Sequence, residues 1–261
     1  MVLPSLACCN SVLIGETLLN FSHPKFDIEL AVKPVDIKEA QAFRYKAFGV
    51  VNESGLDKDE YDQKFNHIII RDRRHRKVVG YFRYNCYSSG LRIQNGYSAA
   101  HYDLKALERF DKPVLEVGRV CTDPFANDPD ILRLVWAYLA QFVEKRNIVF
   151  VFGCTSFEGT DHKKYIDCFA VLRARYLGPK NMLPSVKSQS VLKFAKKIRS
   201  EVNLKTAMMK MPPLLRAYLL MGGWVSDHAV IDNKLNTLHV FTGLEVSKIP
   251  PAKRRFLLKI P

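Results

Sequence analysis

Glu116 stands in Val114–Cys121 (VLEVGRVC), a run whose other side chains, Arg119 excepted, are apolar or absent. A carboxylate in such a strand must be paired or put to use, because burying it alone is costly. One reading is a general base that takes a proton from an attacking amine. The other is an ion pair with Arg119 or Arg83 that orders a sheet. Strict strand alternation puts Glu116 and Arg119 on opposite faces. A bulge would bring them to one site, and Gly118 is where one would form. Backbone amides freed there would stabilise an oxyanion.

A second group of candidates lies upstream. Asp57, Asp59, Glu60 and Asp62 crowd the polar stretch VNESGLDKDEYD, a loop by composition. Such a loop suits a cationic amino acid, or is a solvated turn in which Asp62 caps the next segment. Arg44 would receive a carboxylate bidentately or pair with these acids. His67 opens a strand, whereas His75 falls in the charged turn RDRRHRK. There is no GxSxG, no CxxC and no Cys/His spacing typical of zinc ligands among the six cysteines. The expectations are reduced thiols, no metal and no covalent acyl-enzyme.

The elements that must position these residues alternate between strand and helix. Phe26–Val32 alternates as a half-buried strand. Asp36, with Glu39 three residues on, predicts a capped helix running toward Phe48. Asn66–Asp72 and Lys77–Asn85 predict a hairpin, and Tyr102–Arg109 a short helix. Asp130–Lys145 carries Ile131, Leu132, Val135, Trp136, Leu139 and Phe142 on one helical face. Ile148–Phe152 reads as a buried central strand, parallel to Val114–Cys121. A helix near Tyr165–Leu177, a basic linker at Lys187–Arg199, a helix at Pro213–Met221 and strands at Trp224–Ile231 and Thr237–Val246 complete the pattern. The expected fold is α/β (α+β), a mixed central sheet flanked by helices with a C-terminal helix–strand extension. Residues 26–261 are expected to form one domain. Residues 1–25 read as a weakly ordered leader, because the first twenty lack a basic start and are interrupted by Asn10, Glu16 and Asn20.

The net charge of +14 is unevenly spread: residues 1–159 hold 21 Lys/Arg against 20 Asp/Glu, and residues 160–261 hold 19 against 6. A polyanionic partner or an anionic membrane surface fits such a patch. Nucleic acid fits poorly, since Phe194 is the only aromatic within the internal basic cluster of Lys193, Lys196, Lys197 and Arg199.

Seven motifs in order carry a family resemblance: FRYKAFG (Phe43–Gly49), LDKDEYD (Leu56–Asp62), VVGYFRY (Val78–Tyr84), YSAAHYDL (Tyr97–Leu104), VLEVGRVCTDP (Val114–Pro124), IVFVFGCTSFEGTD (Ile148–Asp161) and PPLLRAYLLMGGWV (Pro212–Val225). Together they resemble the ornithine N-acyltransferases of the GNAT-like superfamily, related to the acyl-homoserine-lactone synthases. The resemblance implies acyl transfer to an amino-acid amine. Glu116 and Arg119 would then be catalytic, and Arg44, Asp59, Asp62, Arg83 and His67 would lie on the substrate side. Phe48, Phe82, Val120 and Cys121 would line the acyl channel. Trp136 reads as plain core. Another N-acyl amino acid synthase, or a lactone synthase, shares most of the motifs.

The superfamily holds a CoA pyrophosphate on a glycine-rich loop at a helix start. The corresponding segment, CTDPFANDPDIL, has no glycine and carries Asp123, Asp128 and Asp130. This favours a donor on acyl-carrier protein, whose arm has one phosphate, and no tightly bound cofactor. The acidic carrier would dock on Lys193, Lys196, Lys197 and Arg199. A lipid product of about 0.8 kcal/mol membrane preference per methylene implies work at the cytoplasmic face of the inner membrane, with the basic tail at Lys253–Arg255 touching it.

Overall fold

The computed structural model describes residues 23–126 and 128–259; most of the expected leader lies outside them. Ten strands and eight α-helices alternate along this span. In chain order they are β1 (Phe26–Ala31), α1 (Pro34–Ala47), β2 (Asn66–Asp72), β3 (Val78–Tyr87), α2 (Tyr97–His101), β4 (Tyr102–Asp103), β5 (Val114–Thr122), α3 (Pro129–Lys145) and β6 (Phe150–Glu158). Then follow α4 (Ile166–Arg175), β7 (Ser185–Val186), β8 (Val191–Leu192), α5 (Phe194–Lys197), α6 (Leu204–Lys210), α7 (Pro213–Leu220), β9 (Trp224–Asp232), β10 (Thr237–Glu245) and α8 (Pro251–Leu258). Eight strands form one mixed sheet in the order β1-β2-β3-β5-β6-β10-β9-β8. This is the mixed α/β, GNAT-like architecture expected.

β5 and β6 are the parallel pair, joined by α3, but they pair only from Val114 to Glu116 against Phe150 to Phe152. Beyond Glu116 the ladder ends, and β6 continues to Glu158 against β10 alone. This explains why β6 outruns the apolar stretch expected to form it: its second half, Gly153–Glu158, pairs with β10 on one side and borders an opening on the β5 side. Where the two strands still touch, Gly153 is required, because a Cβ there would collide with the Val117 carbonyl oxygen.

α3 follows the apolar spacing, burying Ile131, Leu134, Val135, Tyr138, Leu139 and Phe142 on one face of the sheet. Burial of side chains this size contributes about 1.5–3 kcal/mol each. α1 covers the other face beside Ile69, Tyr81 and Cys121. Its start differs from the expected capping box. Lys33 is the N-cap with no side-chain bond, and Pro34 opens the helix. Glu39 is drawn instead to Arg71, which donates to both its oxygens at 2.9 Å.

Tyr102–Arg109 holds only a single 3-10 turn at Lys105–Leu107 and no α-helix. Tyr102 is fully buried and pairs with Val186, and Asp103 accepts from the Lys105 amide, which turns the chain. The helical turn lies just before, at Tyr97–His101. Nor is the basic stretch before Arg199 a plain linker: Val191 and Leu192 extend the sheet, and Phe194 is wholly buried. Among the described residues no helix is long and apolar enough to cross a membrane.

Candidate active site

The divergence of β5 from β6 opens a cleft of about 660 Å³. Its walls come from Glu116–Val120 on β5, Gly153–Glu158 on β6, the end of α1 at Phe48, Tyr97 on α2, and Leu214 and Tyr218 on α7. The bulge expected near Gly118 is present. Tyr81 pairs with Cys121 and Arg83 with Gly118, so Arg119 and Val120 together face Phe82. Arg119 takes a left-handed φ of 53° to accomplish this. The bulge rotates Arg119 to the face that carries Glu116, and both side chains line the cleft.

Glu116 is 1% exposed. It has no ion pair with Arg119 or Arg83. Its Oε1 accepts from the Ser98 amide at 2.5 Å, and its Oε2 from the Tyr87 hydroxyl at 2.8 Å. Burial raises its pKa above the usual carboxylate value, against the pull of the Ser98 and Tyr87 hydrogen bonds. The carboxylate therefore combines high proton affinity with access to the cleft. Gly96 makes room for it: a Cβ there would lie on Oε2 and 2.5 Å from the Tyr87 hydroxyl.

Three acids of the loop turn inward, while Glu60 stays exposed. Asp57, Asp59 and Asp62 alternate with Arg44, Arg119 and Arg83 in a closed ring of ion pairs. Going round it, Arg44 Nε lies 2.9 Å from Asp57 Oδ2, which lies 3.0 Å from Arg119 Nε. Arg119 Nη2 lies 3.0 Å from Asp59, and Asp59 lies 2.6 Å from Arg83 Nη1. The same Arg83 nitrogen is 2.6 Å from Asp62 Oδ1, which returns to Arg44 at 2.7 Å. Three positive and three negative charges cancel. Burial alone would raise the Asp62 pKa. Hydrogen bonds from Arg44 and the charges of Arg44 and Arg83 outweigh it and hold the group well below the carboxylate range. Asp59 is depressed likewise, Arg83 overcoming burial.

Asp59 also caps the turn Glu60–Gln63, in a reciprocal capping box with Asp62. His67 supports the ring from beneath. Its Nε2 lies 2.8 Å from the Asp62 carbonyl oxygen, which only accepts, so Nε2 carries the proton. Nδ1 then accepts from the Tyr81 hydroxyl at 2.6 Å, and Tyr81 accepts from Arg44 at 3.0 Å.

The structure thus divides the residues picked out in the sequence. Phe48, Arg83, Glu116, Arg119 and Val120 line the cleft. Arg44, Asp59, Asp62 and His67 stand behind it, bound to one another rather than open to a ligand. Phe82 and Cys121 do not line this cleft: Phe82 packs edge-on to Tyr138 beneath α3, and Cys121 lies beneath α1. The two sit on opposite faces of the sheet, the outcome of strand alternation on either side of the bulge. Tyr87, Gly96 and Ser98 carry no signal in the sequence pattern for contact with Glu116. Tyr97, whose ring centroid is 5.2 Å from the Arg119 guanidinium, belongs to a motif noted only as a resemblance. Burial pushes the Cys154 thiol at the cleft wall up to about 12, which opposes a thiolate nucleophile.

Residues 41–137 match the family described as an acetyltransferase (GNAT) domain. The fold around the splayed strands is GNAT-like, and the chain is an acyltransferase. Over most of its length it is similar to L-ornithine N(alpha)-acyltransferases. It is 27% identical to the one from Rhodobacter capsulatus over 245 residues, 88% of this chain and 94% of that protein. To the one from Brucella abortus it is 26% identical over 251 residues, 90% and 89% of the two chains. Among solved structures it is similar to FeeM, an N-acyl amino acid synthase from uncultured soil microbes, at 10% identity and a TM-score of 0.48, covering 86% of this chain and 93% of that one.

Proposed function

We propose that this chain transfers a fatty or 3-hydroxyfatty acyl group from an acyl-carrier-protein thioester to the α-amine of ornithine, giving a lyso-ornithine lipid. The observation that carries the reading is a buried, proton-avid Glu116 at the point where β5 and β6 part, in a chain similar along most of its length to ornithine acyltransferases. Glu116 takes a proton as the α-amine attacks the thioester carbon, an N–C bond forms and the C–S bond breaks. The proton then passes to the departing thiolate. Transfer is direct, within a complex of both substrates. Backbone amides at the Arg119–Val120 bulge are the donors we assign to the developing oxyanion. Because the ring already neutralises Asp57, Asp59 and Asp62, we assign the ornithine side-chain ammonium to Glu158, which lines the cleft outside the ring. Arg119 and Arg83 orient Phe48, Tyr97 and the wall; Phe48 and Val120 flank the acyl chain.

A carrier-protein donor is supported by the start of α3. Asp128 caps it, accepting from the Asp130 amide at 2.9 Å, and Lys25 lies 3.0 Å from Asp128. Acid thus occupies the position where a pyrophosphate would sit. Lys193, Lys196, Lys197 and Arg199, anchored by buried Phe194, form the docking surface for the acidic carrier. On α8, exposed Phe256 beside Lys253 and Arg255 suits a peripheral contact with the inner membrane from the cytoplasm. Arg254 is held by Glu144 at 2.5 Å.

The experiment supplies purified protein with 3-hydroxyacyl carrier protein or the matching acyl-CoA and a panel of amino acids. The expected product is acyl-ornithine from the carrier donor, with KM for the carrier raised by the triple variant K193E/K196E/K197E. Product from CoA alone, or only from another amine, would sink the proposal.

A further inference from the structure

Outside the ring, the fold gathers His101 from α2 and Asp232 and His239 from the β9–β10 hairpin, two distant parts of the chain. One ligating atom from each lies within 4.8 Å of the others. His101 ends α2, Asp232 ends β9 and His239 lies on β10. No local spacing announces them, which is why the sequence points to no metal.

His239 and Asp232 are each arranged with one atom engaged and one left over. His239 is 1% exposed. Its Nδ1 lies 3.2 Å from the Tyr102 hydroxyl, whose own proton goes to the His239 carbonyl oxygen at 2.8 Å. The Tyr102 oxygen is therefore the acceptor and Nδ1 the donor. That fixes the tautomer in which Nε2 presents a lone pair, and Nε2 is buried without a hydrogen-bond partner. An imidazole whose far nitrogen is pinned by such a bond is how proteins prepare a metal ligand. Asp232 is prepared similarly: its Oδ1 accepts from the Lys234 and Leu235 amides at 2.9 and 3.0 Å, and Oδ2 takes no part in those bonds. The His101 ring meets that of His239 edge to face, with centroids 5.0 Å apart.

We propose that His101, Asp232 and His239 form a three-ligand site for a divalent transition ion of the zinc class. Two imidazoles and one carboxylate suit zinc, cobalt or nickel over magnesium or calcium. A tetrahedral ion about 2.0–2.1 Å from each ligand holds them about 3.4 Å apart, so the observed spread closes by side-chain rotation. Of the nearby cations, Arg119 is neutralised by Asp57 and Asp59, while Lys187, which donates to the Ala99 carbonyl oxygen at 2.6 Å, keeps its charge and is opposed by the Asp232 carboxylate.

The site acts by position. It ties α2 to the β9–β10 hairpin, and α2 carries Ser98, which donates to Glu116, and Tyr97, which lines the cleft and meets the His101 ring at a tilt, with centroids 4.9 Å apart. A bound ion would thus fix the wall against which the base is set, leaving a fourth position for water.

The test titrates chelator-stripped, full-length protein with Co²⁺ and then displaces it with Zn²⁺, reading visible absorption and thermal unfolding. One Co²⁺ per chain is expected, with d–d bands lacking thiolate charge transfer and a raised Tm. Affinity should fall at least tenfold in Asp232→Asn and His101→Gln, both partly exposed positions that spare the core. Absence of stoichiometric uptake, uptake unchanged in both variants, or a thiolate spectrum that assigns the ion to cysteine would each overturn it. The proposal does not depend on which acyl donor or amine the cleft takes.

Discussion

Arg44 and Asp62 meet in parallel, Nη1 to Oδ1 at 2.7 Å and Nη2 to Oδ2 at 2.9 Å, with neither side chain open to solvent. Asp62 also accepts from Gln41 and Arg83. Asp62→Asn would leave two buried guanidiniums short of a counter-charge. The expected loss is about 3–5 kcal/mol of folding stability, measured from denaturant midpoints with the slope unchanged. A loss below about 1 kcal/mol, the range of exposed pairs, would show that the ring is solvated.

The same ring sets the response to acid. Asp59 and Asp62 have folded pKa values below their unfolded ones. Their stabilisation is complete above about pH 4, near the unfolded carboxylate value. It disappears as pH falls toward the folded values. Unfolding curves between pH 7 and pH 2 should show this loss in the parent and a shallower one in Asp59→Asn. Parallel curves would exclude a contribution from Asp59.

Glu116 titrates the opposite way, and its effect is on rate. A base must be ionised, and burial raises this carboxyl, so kcat/KM should climb with pH through a value above the ordinary glutamate pKa of about 4.3. Glu116→Gln keeps the shape and the acceptor for the Ser98 amide, places an NH2 that the Tyr87 hydroxyl can turn to accept, and removes the base. A fall of about 10²–10⁴-fold in kcat is expected, with the thermal midpoint nearly unchanged. Retention of the acidic limb in that variant would assign it to another group.

Two glycines near the base should behave differently. Gly96→Ala intrudes on Glu116 and the Tyr87 hydroxyl, whereas a Cβ at Gly118 meets nothing within 4 Å. Gly96→Ala should depress kcat while Gly118→Ala leaves it within about threefold, a difference of under 1 kcal/mol. Equal losses in the two variants would show that the Gly96 contact does not position the base.

What the sequence revealed of this site follows the range of the interactions. The parallel β5–β6 pair was legible because an amphipathic run separates two apolar ones, and the bulge because a glycine sits between two charges of a buried strand. The ring was half legible. Its acids and Arg44 stood out by type, but their mutual neutralisation depends on a loop folding back over α1 and β3, contacts set by tertiary packing. The neighbours of Glu116 were not legible, since the Ser98 amide has no side-chain signature and Tyr87 resembles any strand tyrosine. Phe82, assigned to the channel by resemblance alone, packs beneath α3 instead, because which helix covers its face of the sheet is set by tertiary packing.

Regiochemistry tests the central claim most directly. Free ornithine, a 3-hydroxyacyl carrier protein and the purified chain should yield a product whose fragment ions place the acyl group on the α-nitrogen alone, lost in Glu116→Gln. Acyl on the δ-nitrogen, or acylation of a different amine with ornithine untouched, would contradict the account.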